Sequence, residues 1–262
     1  MKVVLFCGGL GMRLHPTTEL VPKPLVPVGE KPILWHMMKY YSHFGHNDFI
    51  LCLGYKGERI KRYFLDYDEC LSSDFVLSNG GRDRKLIEKN TDNWRITFVD
   101  TGLYSNIGQR LKAVQKHLDG QDMFLANYSD GLTDLNLPKY IEYFIKKNKI
   151  GCLLTVKPFH SYHAITSRKN GLVSNITPLV SSDIRINGGY FIFKNQIFDY
   201  IGNGEDLVDE PFKRLIAKKE LVAYNYDGFW ANMDNYKDKQ QLDEWAGNGN
   251  AKWQVWLTKS QG

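Results

Sequence analysis

The chain has 262 residues, 43% of them hydrophobic and 13% aromatic, enough to bury roughly three quarters of its unfolded surface, which excludes a disordered chain and a disulfide-stapled miniprotein. Lys and Arg number 34 against 29 acids, a formal charge of +5, too diffuse an excess to choose between nucleic acid, a membrane surface and an anionic small molecule. No apolar run approaches the ~20 residues that cross a bilayer, and the opening MKVVLFCGG lacks the apolar core and cleavage site of a secretory signal, so a soluble cytoplasmic protein without a membrane partner is expected.

Through the first half, apolar runs of strand length alternate with helical patterns, the sequence form of stacked β-α units. Residues 3–6 predict a buried strand. PILWHMMKYYSHF predicts a helix behind Pro32, with Ile33, Met37, Tyr40, Tyr41 and Phe44 at helical spacing. Strand, helix and strand follow at 49–53, 56–67 and 94–99. Ile107, Leu111, Val114 and Leu118 form the stripe of a third helix, and 123–126 is a buried strand ending in the polar turn Tyr128-Ser129-Asp130-Gly131. Beyond a helix at 137–148 the strands shorten (152–156, 164–166, 172–176, 189–193), and helices return at 210–219 and 237–245. One domain over 1–262 is expected. Its front half (1–135) is α/β, with a mostly parallel central sheet flanked by helices, and its second half (136–262) is smaller in scale and β-rich. Cys7, Cys52, Cys70 and Cys152 form no CxxC, which predicts reduced thiols rather than bridges or zinc. The charged stretch 82–89 mixes signs and predicts a solvated loop. No basic block is interleaved with aromatics, so no nucleic-acid partner is expected.

Gly8, Gly9 and Gly11 follow the first strand directly, where an open α/β sheet presents its ligand crevice, and lacking Cβ atoms they let the backbone approach a phosphate or base. The loop has neither the Gly-Lys-Ser/Thr ending of a Walker loop nor GxGxxG spacing. It carries Arg13 and runs on to Lys23, a planar fork and a point charge suited to a polyphosphate. Asp130, at the end of a buried strand, and Asp234, in the turn GFWANMDN, are hard carboxylates of the kind that hold Mg²⁺ when substrate phosphates complete its shell. Asp134 reads as structural.

GGLGMRL, VPKPLVPVG, KPILWHMMKYYS, DFILCLGYKG, GQRLKAV, YSDGLTD, NGGYF and FWANMD resemble, over nearly the whole chain, the sugar nucleotidyltransferases, and among these the bacterial glucose-1-phosphate cytidylyltransferase family. The resemblance implies a Rossmann-like nucleotidyltransferase fold and Mg²⁺-dependent transfer of CMP from CTP to a phosphorylated acceptor, a sugar 1-phosphate such as glucose 1-phosphate, releasing pyrophosphate and forming a CDP-linked product, with a homo-oligomer as the expected state. It implies Arg13 and Lys23 as catalytic cations and Asp130 and Asp234 as metal ligands. Nucleotide contacts would come from Gly8, Gly9, Gly11, Arg13, Lys23, Thr101, Arg110 and Ser129. The acceptor would meet Tyr128, Asn187 and Gly188. CTP is favoured over other triphosphates by DTGLYSNIGQRLKAV, which is similar to the cytidylyl-type segment of the family.

The acceptor side departs from the family pattern. The Glu-Lys-Pro expected before I-N-G-G is replaced by Ile176-Thr177-Pro178, and His163 stands where the family has a glycine. Arg185 and His163 are the candidate replacements for the missing lysine. The alternatives are an acceptor other than glucose 1-phosphate, sugar or not, or a non-catalytic nucleotide-binding relative.

Overall fold

The computed structural model describes residues 1–9, 14, 21–66, 75–86, 93–158 and 163–257. Its first strand, β1 (Lys2–Phe6), shows how the apolar runs are used. Val3 and Leu5 point into one core, Val4 and Phe6 into another on the opposite face, as a period of two demands of a strand covered on both sides. The short strands β2 (Pro27–Val28) and β3 (Lys31–Pro32) form a hairpin ahead of helix α1 (Ile33–His43). Then come β4 (Asp48–Leu53), α2 (Gly57–Leu65), β5 (Phe75–Ser78), β6 (Asp83–Leu86), β7 (Arg95–Asp100) and α3 (Ile107–Ala113). They are followed by β8 (Met123–Asn127), β9 (Gly131–Thr133), α4 (Leu137–Lys147), β10 (Gly151–Val156), β11 (His163–Ser167) and β12 (Val173–Pro178). The chain closes with β13 (Ile186–Lys194), α5 (Glu210–Ala217), β14 (Leu221–Tyr226), β15 (Trp230–Asn232) and α6 (Tyr236–Gly247).

Seven strands make one sheet in the order β14-β10-β13-β8-β1-β4-β7. All neighbours are parallel except at β13, which runs antiparallel to both β8 and β10. Helices α1 and α4 pack one face through Leu34, Met37, Tyr41, Tyr140 and Phe144. Helices α3 and α5 pack the other through Leu111, Phe212 and Leu215. This is the expected α/β fold with a mostly parallel sheet between helices. The sheet draws strands from both halves, and the hairpin β11-β12 stands apart from it.

Several expectations need correction. The third helix ends at Ala113 and passes through Val114 into a 3₁₀ turn at Gln115–His117, although Val114 and Leu118 stay fully buried. The stretch 82–89 is not simply a loop, because Asp83–Leu86 pairs with Phe75–Ser78; residues 87–89 lie outside the described residues. Strand β14 went unforeseen. Cys7, Cys52 and Cys152 are buried free thiols, and Cys70 lies outside the described residues. Among the described residues no helix is long and apolar enough to cross a membrane.

Candidate active site

The site sits at the carboxyl ends of β1, β4, β7 and β8. Because β13 runs the opposite way, its first residues, Ile186 and Asn187, reach the same edge. The one antiparallel strand of the seven-stranded sheet therefore adds an amide to a crevice otherwise built from strand ends.

A cavity of about 470 Å³ opens there, lined among others by Gly8, Gly9, Lys23, Tyr128, Asp130 and Asp234. Lys23 lies on a short 3₁₀ turn stiffened by Pro22 and Pro24, with Leu25 N–H donating to Pro22 O at 2.8 Å. Its ammonium donates to Asp130 Oδ2 at 2.8 Å and to Asp234 Oδ1 at 2.9 Å. Two features bring the carboxylates together. After β8 the backbone takes a left-handed step at Ser129 (φ 64°). That step is held by Ser129 N–H donating to Asn127 Oδ1 at 2.8 Å and Ser129 Oγ donating to Phe6 O at 2.7 Å. Beyond it β9 pairs with β15, matching Gly131 with Asn232, and Met233 N–H donates to Asp130 O at 2.9 Å. Asp234 is steadied in turn by Asp238, whose carboxylate accepts from the N–H groups of Asp234 and Asn235 at 2.9 and 3.1 Å. Burial pulls the Lys23 ammonium down, but the two carboxylates outweigh it and hold it above its ordinary value. Burial pushes Asp130 up, with Lys23 pulling against it.

Two oxygens converging on one ammonium mark a spot for positive charge, and hard carboxylates suit a divalent cation completed by substrate oxygens. No group of three or more His, Cys, Asp or Glu that could hold a metal occurs among the described residues. Asp134 lies outside this pair. Its carboxylate accepts from Tyr226 Oη and from Phe229 N–H, the latter at 2.8 Å.

Arg110 lines the cavity but is 3% exposed. Its guanidinium donates to the carbonyls of Gly8 (3.0 Å), Leu53 (3.1 Å), Gly102 (2.9 Å) and Leu103 (3.3 Å), and to Thr101 Oγ1 (2.7 Å). It ties the end of the first strand to two neighbouring loops, and Thr101 serves that tie. A Cβ on Gly8 would stand 2.0 Å from Arg110 Nη1, so glycine is required for this close approach. The apolar stripe held the signal for an inward arginine, since Arg110 follows Ile107 by three residues and precedes Val114 by four.

Of the residues expected to meet the acceptor, Asn187 Nδ2 donates to Tyr128 Oη at 3.2 Å, and Gly188 O accepts from Trp230 Nε1 at 2.9 Å. Arg185 is not brought to this cavity. It lines a second one of about 640 Å³ with Lys157 and Trp230, and donates to Asp227 Oδ1 at 2.6 Å and Tyr226 O at 3.1 Å. His163 is exposed on the separate hairpin, paired with Pro178. Arg13 and Gly11 lie outside the described residues. Ser105, Asn106, Ile107 and Asp206 complete one wall of the first cavity. Sequence reasoning missed Asp206, which belongs to no motif. Cys7, which lines the cavity, is not a ready nucleophile, since burial pushes its thiol up to about 12.

The family model described as "Nucleotidyl transferase" matches residues 2–243. A chain named "Probable glucose-1-phosphate cytidylyltransferase" from Bacillus subtilis is 37% identical over 98% of this chain and 100% of its own length. A glucose-1-phosphate cytidylyltransferase from Salmonella typhimurium is likewise 37% identical, over the same shares. Among solved structures, UDP-glucose pyrophosphorylase complexed with UDP-glucose superposes with TM-score 0.68 at 14% identity, covering 95% of this chain and 98% of that one. HddC from Yersinia pseudotuberculosis gives TM-score 0.65 at 20% identity, covering 93% and 98%. The two structures speak for the fold, and the family match and the relatives for descent: this chain belongs to the nucleotidyl transferase family.

Proposed function

We propose that the protein transfers CMP from CTP to a sugar 1-phosphate, with glucose 1-phosphate as the acceptor, and releases pyrophosphate. The observation that carries this is the convergence of Lys23, Asp130 and Asp234 at the strand ends in a chain that shares its full length with cytidylyltransferases. In the reaction a phosphate oxygen of the acceptor forms a bond to the α-phosphorus of CTP, and the bond to the bridging oxygen breaks as pyrophosphate leaves. No side-chain nucleophile is needed, so the protein's work is to orient two anions in line and offset their charge. Lys23 steadies the α-phosphate, with Arg13 as the proposed partner for the departing phosphates. Tyr128 and Asn187 orient the acceptor. Asp130 and Asp234 are the residues that would hold Mg²⁺, which when bound neutralises phosphate charge.

Pyrophosphate release from CTP, UTP, dTTP and GTP should be measured against a panel of sugar phosphates, with Mg²⁺ and with chelator. CTP with glucose 1-phosphate should turn over fastest, and only with the metal. Turnover of another triphosphate with none from CTP would overturn the assignment. Self-assembly belongs to the same proposal, supported by exposed Ile165, Val173 and Ile176 on the β11-β12 hairpin. A monomer by light scattering at micromolar concentration would count against it.

A further inference from the structure

The triphosphate site should be cationic, yet one wall of the 470 Å³ cavity carries a carboxylate, Asp206, that stands outside the Lys23 cluster. Asp206 is partly buried. Among the described residues its oxygens accept only from Ile107 N–H at 3.4 Å and Val208 N–H at 3.3 Å, both long contacts. No cation pairs with it among the described residues. An acceptor-only group in that state repels phosphate and leaves lone pairs for a ligand that brings N–H or O–H donors.

The segment bearing Asp206 is braced from several directions. Asn106 Nδ2 donates to Gly204 O at 2.8 Å, and Lys112 Nζ donates to Ile201 O at 3.1 Å. Glu205 pairs with both terminal nitrogens of Arg214, at 2.5 and 2.6 Å. Gly108 packs so close that a Cβ there would meet Glu205 O at 2.2 Å. The carboxylate is therefore presented at a fixed place on the wall it shares with Ser105, Asn106 and Arg110. Arg110, the cation of that wall, is committed to protein carbonyls. Phosphates thus belong at the Lys23 end and the nucleoside at the Asp206 end.

Resting on the CMP transfer proposed above, we propose that Asp206 determines base specificity, its carboxylate accepting a hydrogen bond from the amino group at position 4 of cytosine. Uracil and thymine carry a carbonyl there and would set lone pairs against the carboxylate, so a fixed acid rewards cytosine and penalises the others. A ribose hydroxyl can donate or accept and needs no acceptor-only partner. The ribose is the alternative that the test separates.

Wild type, Asp206→Asn and Asp206→Ala should be compared with CTP, UTP and dCTP, using glucose 1-phosphate and Mg²⁺ and confirming the fold by thermal melting. In Asp206→Asn the amide can donate to a carbonyl, so the ratio of kcat/KM for CTP over UTP should fall tenfold or more, while the ratio for CTP over dCTP stays within threefold. An unchanged CTP to UTP ratio would overturn the assignment, as would a change confined to CTP over dCTP, which would give Asp206 to the ribose. A wild type that prefers UTP would sink CMP transfer itself. A wild type that prefers CTP and keeps that preference in Asp206→Asn would sink only the role of Asp206. If Asp206→Ala fails to fold, the near-isosteric amide decides.

Discussion

Replacing Arg110 by alanine tests the tie between the glycine loop and its neighbours. The guanidinium serves five acceptors, three of them the carbonyls of Gly8, Leu53 and Gly102 at 2.9 to 3.1 Å. A buried acceptor stripped of its donor costs about 1–3 kcal/mol, and the removed charge returns part of its desolvation cost, so the net loss should be about 3–4 kcal/mol. At roughly 2–4 °C per kcal/mol for a chain of this size, the melting temperature should drop by about 6–16 °C. Gly8→Ala attacks the same contact from the other side, since its Cβ would stand 2.0 Å from Nη1 and 2.3 Å from Cζ. It should cost about 2–3 kcal/mol alone but less than about 1 kcal/mol in the Arg110→Ala background, because contacting residues are non-additive. Urea unfolding of the four proteins in the cycle supplies the numbers. Additive losses, or an Arg110→Ala protein within about 1 kcal/mol of wild type, would refute the tie.

Three further outcomes are expected. Lys23→Met should lower kcat/KM by ~10²- to 10³-fold, and, by leaving Asp130 and Asp234 to face each other, should raise the thermal shift given by Mg²⁺ alone above that of wild type; equal shifts would deny that the ammonium and the cation compete. His36 is 3% exposed, with Nε2 donating to Val28 O at 2.9 Å, and burial outweighs that bond to lower it to about 4. Held neutral in the fold, it contributes stability that is complete above its unfolded pKa of about 6.5 and is lost as pH falls toward 4, about 3 kcal/mol in all. His36→Gln should flatten the unfolding free energy across that window, and an unchanged slope would count against it. Arg185→Ala removes a pair whose aspartate is 67% exposed, so the stability loss should stay below about 1 kcal/mol. Acceptor KM should move less than about threefold, and a 30-fold rise would return Arg185 to the acceptor.

What could be read from the chain was whatever had a strong local period or a compact motif. Val3 to Phe6 and the stripe Ile33, Met37, Tyr40 show their faces because every turn of the pattern is buried. LVAYNY in β14 alternates between half-buried and exposed positions at the sheet edge, and a half-wet edge strand leaves little hydrophobic contrast to read. Lys23 and both aspartates were legible from their surroundings. Their mutual contact was not, since 107 and 211 residues separate the lysine from its partners. Asp206 was silent for a related reason: a carboxylate in a loop means little until α3 is seen packed beside it.

The pairing of β9 with β15 gives the site a timetable as well as a place. Synthesis runs from the amino end, and distant contacts form late because closing long loops costs entropy. The glycine turn, Lys23 and Asp130 leave the ribosome long before the strand that delivers Asp234. Until that strand emerges, the lysine has only one of its two carboxylates. On the proposed role of both aspartates as Mg²⁺ ligands, Mg²⁺ and nucleotide together should therefore reward only the completed fold, and adding them should favour the finished chain over nascent or carboxyl-terminally truncated forms.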